Sequence, residues 1–95
     1  MTATYEDWLD VYDVVYDAVP GNADVACPNC GHHTLRLVFT ADPDRDVGYG
    51  SFWCDTCLLG VGLSRVVIPD GAIVRDRRLP PEERVPKVPN FRLVN

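Results

Sequence analysis

All four cysteines of this chain fall in two pairs of identical spacing, Cys27-Pro28-Asn29-Cys30 and Cys54-Asp55-Thr56-Cys57. Two residues between cysteines allow a tight turn to aim both sulfurs, and several backbone amides, at one point. Two such turns supply four thiolates, a complete tetrahedral shell for a zinc ion. Gly31 after the first pair and Gly60 after the second are expected to relieve the backbone where these turns close. The four ligands would fill the coordination shell and leave no position for water or substrate. The metal is therefore expected to be structural, and its binding energy to become folding energy. His32 and His33 flank the first pair and are read as exposed, or as donors to a thiolate.

The 23 residues between the pairs, Gly31 to Trp53, suffice for a hairpin out and back. Thr34–Ala41 alternates, with Leu35, Leu37, Phe39 and Ala41 on one face, and predicts a strand. Asp42-Pro43-Asp44-Arg45-Asp46-Val47-Gly48 is turn chemistry. Tyr49–Trp53 predicts a second strand running into Cys54. Val61–Ile68 predicts a third, ended by Pro69-Asp70-Gly71. Ala72-Ile73-Val74 is compatible with a short fourth.

Before the first pair, residues 4–19 read as an amphipathic helix. Tyr5, Trp8, Leu9, Tyr12, Val15, Tyr16 and Val19 recur at steps of three and four. Thr4 and Asp7 form a capping-box pattern, and Pro20-Gly21-Asn22 is a stop signal. The valines lower intrinsic propensity, so the helix needs packing. The opposite stripe, Glu6, Asp10, Asp13 and Asp17, reads as a solvated face or as a docking surface for a basic partner. Downstream, Pro80, Pro81, Pro86 and Pro89 forbid a long helix or a central strand. Residues 80–95 are read as an extended tail, with Phe91, Leu93 and Val94 apolar enough to dock.

The segment from about Ala26 to Ile68 resembles the zinc ribbons. The resemblance rests on Cys27-Pro28-Asn29-Cys30-Gly31, the two-stranded insert, Phe52-Trp53-Cys54-Asp55-Thr56-Cys57 and the strand that follows. It implies one structural zinc on Cys27, Cys30, Cys54 and Cys57. It does not choose among the family's uses in transcription factors, ribosomal proteins, enzyme subdomains and docking modules. Rubredoxins place iron in a similar pair of turns. Their second turn is usually Cys-Pro-x-Cys-Gly, from which Cys54-Asp55-Thr56-Cys57-Leu58 departs. In the ribbons of transcript-cleavage factors, acids at the hairpin tip help hold a catalytic magnesium within RNA polymerase. Asp42, Asp44 and Asp46 lie at the equivalent tip, but no two are adjacent as in those factors.

Composition sets the remaining bounds. The chain has 95 residues, 46% hydrophobic and 24% charged, which fits one small globular domain whose core alone is marginal. No apolar run is long enough for a membrane span, and the first residues lack the features of a signal peptide. A reducing cytoplasm is expected, where paired cysteines bind metal more often than they form disulfides. Residues 1–26 hold six acids and no Lys or Arg, so the remainder sums to +1 against a whole-chain charge of −5. Within that remainder, residues 75–92 carry six cations and three acids.

The expectation is thus an α+β fold. Residues 1–79 form one domain, with the helix at about 4–19, a zinc ribbon at about 26–68 and a three-stranded antiparallel sheet. A proline-rich tail occupies 80–95. No catalytic motif is found: there is no phosphate loop, no GxSxG and no thiol spared from the metal. The expected role is a non-enzymatic module binding another protein, as a monomer or homodimer. The first alternative is a transcription-associated or nucleic-acid-binding ribbon, with Tyr49, Phe52 and Trp53 stacking on bases and Arg36, Arg45 and Arg65 near phosphates. Packing of those aromatics under the helix competes with that use. The second alternative is an iron electron carrier.

Overall fold

Thr4 opens the helix as the spacing predicts. Its hydroxyl accepts from the Asp7 amide at 3.2 Å, and its own amide donates to Asp7 Oδ2 at 2.9 Å. This closed capping box contributes about 1 kcal/mol and fixes where α1 (Tyr5–Ala18) begins. The computed structural model describes residues 4–19, 21 and 24–94. The stop signal at Pro20 and Asn22 lies outside the described residues, and Val19 closes the helix by donating its amide hydrogen to the Tyr16 carbonyl.

Three strands follow: β1 (Leu35–Ala41), β2 (Val47–Cys54) and β3 (Leu59–Val67). They pair antiparallel in sequence order, with Leu37 opposite Phe52 and Phe52 opposite Val61. The three-stranded antiparallel expectation is correct for this centre and incomplete at both edges. β4 (Val74–Asp76) adds parallel to β1, and β5 (Arg92–Leu93) adds parallel to β3. The result is a five-stranded mixed sheet in the order β4-β1-β2-β3-β5. The two added strands are too short to show a period of two. They form because an open edge presents unpaired amides and carbonyls that nearby chain can satisfy. On one edge Phe39 donates to Ile73; on the other, Arg92 and Val94 donate to Leu58 and Gly60.

The sheet is covered on both faces. α1 lies on the face of Leu37, Phe52 and Val61. Trp8 and Tyr12 meet Phe52 edge-on at 5.7 Å each, and Tyr16 Oη donates to the Val67 carbonyl. Trp8, Phe52 and Val61 are fully buried there, together with Cys54. On the other face Phe91 stacks on Trp53 at 5.7 Å and 10°. The tail is therefore docked on the sheet, with Val94 reaching the main core cluster, and not laid along the acidic stripe of α1. The alternation of β2 explains the division: Phe52 and Trp53 are neighbours in sequence and point to opposite faces.

Two buried polar atoms, Trp8 Nε1 and Tyr12 Oη, have no hydrogen-bond partner among the described residues. Burial pushes the Tyr12 phenol up to about 12, with the nearby Tyr16 and Asp13 adding to it. An unpaired buried hydroxyl is costly, so Tyr12→Phe is expected to stabilise the fold by about 1 kcal/mol. Thermal melting should rise by roughly 4–8 °C. An unchanged or lower melting point would mean that the hydroxyl is satisfied.

Candidate metal centre

The four cysteines arrive from two turns at one end of the sheet. Cys27 and Cys30 belong to the loop before β1; Cys54 ends β2; Cys57 lies just before β3. The turns close in the same way. Gly31 donates its amide to the Cys27 carbonyl and Leu58 to the Cys54 carbonyl, both at 2.9 Å. Each closing residue sits at positive φ, Gly31 at 79° and Leu58 at 55°. The expectation for Gly31 holds, whereas the left-handed position of the second turn falls on a leucine.

Gly60 serves a different purpose from the one expected. It does not have positive φ; it lies in β3 opposite Trp53. A Cβ there would meet the Phe52 carbonyl oxygen at 2.2 Å and Trp53 Cα at 2.7 Å. Both obstacles are backbone of the central strand and cannot swing away. Gly60→Ala is expected to cost about 3 kcal/mol, the upper end for overpacking, as read by urea denaturation. A cost below 1 kcal/mol would show that β2 and β3 can part there cheaply.

The turns bring all four sulfurs within 4.8 Å of one another. Cys27 and Cys57 stand 3.7 Å apart and Cys30 and Cys54 3.6 Å. A tetrahedral ion with metal–sulfur bonds of about 2.3 Å has sulfur–sulfur edges of about 3.8 Å, so the donor set fits zinc. The four residues are free cysteines, with no disulfide between them. Cys27 and Cys54 are buried, and Cys30 and Cys57 half-buried.

Polar groups stand close to three of the four sulfurs. The Asn29 and Cys30 amides point at Cys27 Sγ at 3.4 and 3.5 Å. The Thr34 hydroxyl lies 3.3 Å from Cys54 Sγ and 2.7 Å from Thr56 Oγ1. His32 Nδ1 stands 3.4 Å from Cys30 Sγ, so His32 takes the role of a polar neighbour to a thiolate. His33 turns away and pairs with Asp24 at 2.6 Å. Burial pushes the Cys27 thiol up to about 12 against the pull of its two amides. Burial acts the same way on Cys54, but hydrogen bonds from Thr34 and from the Cys57 and Thr56 amides outweigh it and bring that thiol down to about 6. A bound dication would supply the charge that lets all four sulfurs ionise together.

The chain matches no family model, no curated protein and no solved structure. The geometry of the centre is therefore the evidence for what it holds.

The other residues singled out from the sequence are dispersed. Among the described residues, the cysteine quartet is the one cluster of metal-binding type. Asp42, Asp44 and Asp46 do not converge into such a cluster; the Arg45 amide donates to the Asp42 carbonyl as in an ordinary turn, and the Ile68 amide donates to the Asp46 carbonyl across the strands. Of the aromatics considered for base stacking, Phe52 is sealed under α1 and Trp53 lies beneath Phe91, leaving Tyr49 exposed. Arg36 is held by Asp55 at 2.8 Å. That bond, aided by Trp53 Nε1, keeps the Asp55 carboxyl below its ordinary range. Leu59 packs against the core beside the sulfurs, while Leu58 points outward. No helix of the described residues is long and apolar enough to cross a membrane.

Proposed function

We propose that this chain is a zinc-ribbon protein with one structural zinc on Cys27, Cys30, Cys54 and Cys57, and that it acts by binding another protein rather than by catalysis. The closure of the sulfur cluster carries the reading. Four cysteines within 4.8 Å meet every coordination demand of a tetrahedral ion, which leaves no open position for substrate. The test is metal content in protein purified without added metal, with thiols counted before and after chelation. One zinc per chain, with thiols reactive only after chelation, supports the reading. Iron, with thiolate-to-iron absorption, would move the site to electron transfer. A chain that is folded and metal-free would overturn it.

The surface assigned to the partner is the α1 stripe. Glu6, Asp10, Asp13 and Asp17 are exposed, and no cation pairs with them among the described residues. The loss of Phe52 and Trp53 to packing favours a protein partner over single-stranded nucleic acid. Reversing Asp10, Asp13 and Asp17 together to lysine is expected to weaken capture of a basic protein about tenfold or more and to remove its salt dependence. Zinc content should stay at one per chain. Undiminished capture would place the partner elsewhere.

A further inference from the structure

The face of the sheet opposite α1 carries a second polar site, built by strand alternation. Thr40 and Arg75 are register partners on β1 and β4, so they share this face, and Arg77 follows two residues after Arg75. Ser51 on β2 lies on the same face, and Ser64 of β3 borders the same depression. Arg84 reaches in from the chain beyond the 3-10 turn (Pro81–Glu83). These residues, with Tyr49 beside them, line a shallow, open depression of about 410 Å³.

The arginines are positioned but not neutralised. Arg75 Nε donates to Thr40 Oγ1 at 3.1 Å, and its two terminal nitrogens have no partner among the described residues. Arg84 is held by two backbone carbonyls, Leu79 at 3.0 Å and Arg77 at 2.9 Å. Neither bond cancels its charge. The Arg77 side chain makes no hydrogen bond among the described residues. No carboxylate forms an ion pair with any of the three among the described residues; Asp76 pairs with Arg78 and acts on Arg84 only at longer range. Burial and the adjacent Arg84 both lower the Arg75 pKa, as expected of like charges held close together. Three cations held together on a protein of net charge −5 are costly unless an anion joins them.

We infer that Arg75, Arg77 and Arg84, with the hydroxyls of Thr40, Ser51 and Ser64, form a binding site for a small molecule carrying two or more phosphates. Guanidinium forks match phosphate oxygens bidentately, and the hydroxyls supply neutral donors beside them. Polymeric nucleic acid fits less well. The site is a local concavity on an acidic protein, and Trp53, on the same face, is already covered by Phe91.

The site uses none of the metal ligands, so it stands or falls apart from the zinc reading. The test titrates the full zinc-loaded chain with pyrophosphate, and in parallel with a single-stranded oligonucleotide, following backbone amide shifts by NMR at low salt. Saturable pyrophosphate binding is expected, with shifts at Thr40, Ser51 and Ser64. Arg77→Gln should weaken it about tenfold or more without changing the melting point, since that side chain supports nothing in the fold. Arg75→Gln should do likewise, and Arg92→Gln, on the far edge strand, should leave it unchanged. Absence of saturable binding, or equal affinity in Arg77→Gln, would overturn the proposal. So would an oligonucleotide binding far more tightly than pyrophosphate.

Discussion

Replacing Cys54 with serine is expected to abolish stoichiometric zinc binding and to leave the chain unfolded at 25 °C. Cys54 is fully buried and belongs to both the sulfur cluster and the aromatic core of Trp8, Tyr12 and Phe52. The variant removes one of four thiolates and places a hydroxyl in a dry site. Structural zinc contributes about 10–16 kcal/mol in small zinc-binding peptides, comparable to or above the roughly 5–15 kcal/mol net stability of a whole domain. A 95-residue chain with so small a core has little to set against that loss. Circular dichroism with zinc quantification checks it, and chelation of the unaltered chain should reproduce the unfolding. Cys30→Ser should be milder, because His32 already stands 3.4 Å from that sulfur and can supply a nitrogen ligand. If Cys54→Ser melts within a few degrees of the parent, the metal is not what holds the fold.

Phe52→Ala is expected to cost about 3–5 kcal/mol and to release α1 from the sheet. Phe52 is fully buried at the centre of the middle strand, and the rings of Trp8 and Tyr12 both stand edge-on to it at 5.7 Å. Removing the ring leaves a cavity that two helix side chains line and neither can fill from a fixed backbone. Such aromatic pairs also add about 0.5–1.5 kcal/mol each beyond their buried area. The readout is urea denaturation with tryptophan emission, which should shift to longer wavelength as Trp8 enters water. Trp53, under Phe91 on the other face, should keep its emission. A loss below 1 kcal/mol would mean that α1 is seated by other contacts, such as the bond from Tyr16 to Val67.

Where the reading from sequence succeeded, the signals were local. The Thr4–Asp7 box, the three-and-four spacing of Trp8, Tyr12 and Tyr16, and the alternation of Leu35, Leu37 and Phe39 each lie within one element. Each survives in the structure almost to the residue. The two cysteine pairs are local as well, since each turn closes on itself through one amide-to-carbonyl bond. Where the reading fell short, the cause was pairing at a distance. Gly60 resembled a turn glycine because Cys57 precedes it, yet what it avoids is the backbone of Phe52 and Trp53 across the ladder. β4 and β5 have three and two residues, and their identity as strands comes from the edges they satisfy.

The donor set, the spacing that lets two turns face each other, the amphipathic helix and the three central strands are all legible in the order of residues alone. Those features follow from side-chain type and short-range periodicity. It took folding to bring the proline-rich tail back to the sheet, to lay Phe91 rather than a base on Trp53, and to gather Arg75, Arg77 and Arg84 around one depression. Tail docking depends on which backbone groups remain unpaired at a sheet edge, and the meeting of Arg75, Arg77 and Arg84 depends on which strand lies beside which. Neither is written in any window of the chain, because both are properties of residues brought together by folding.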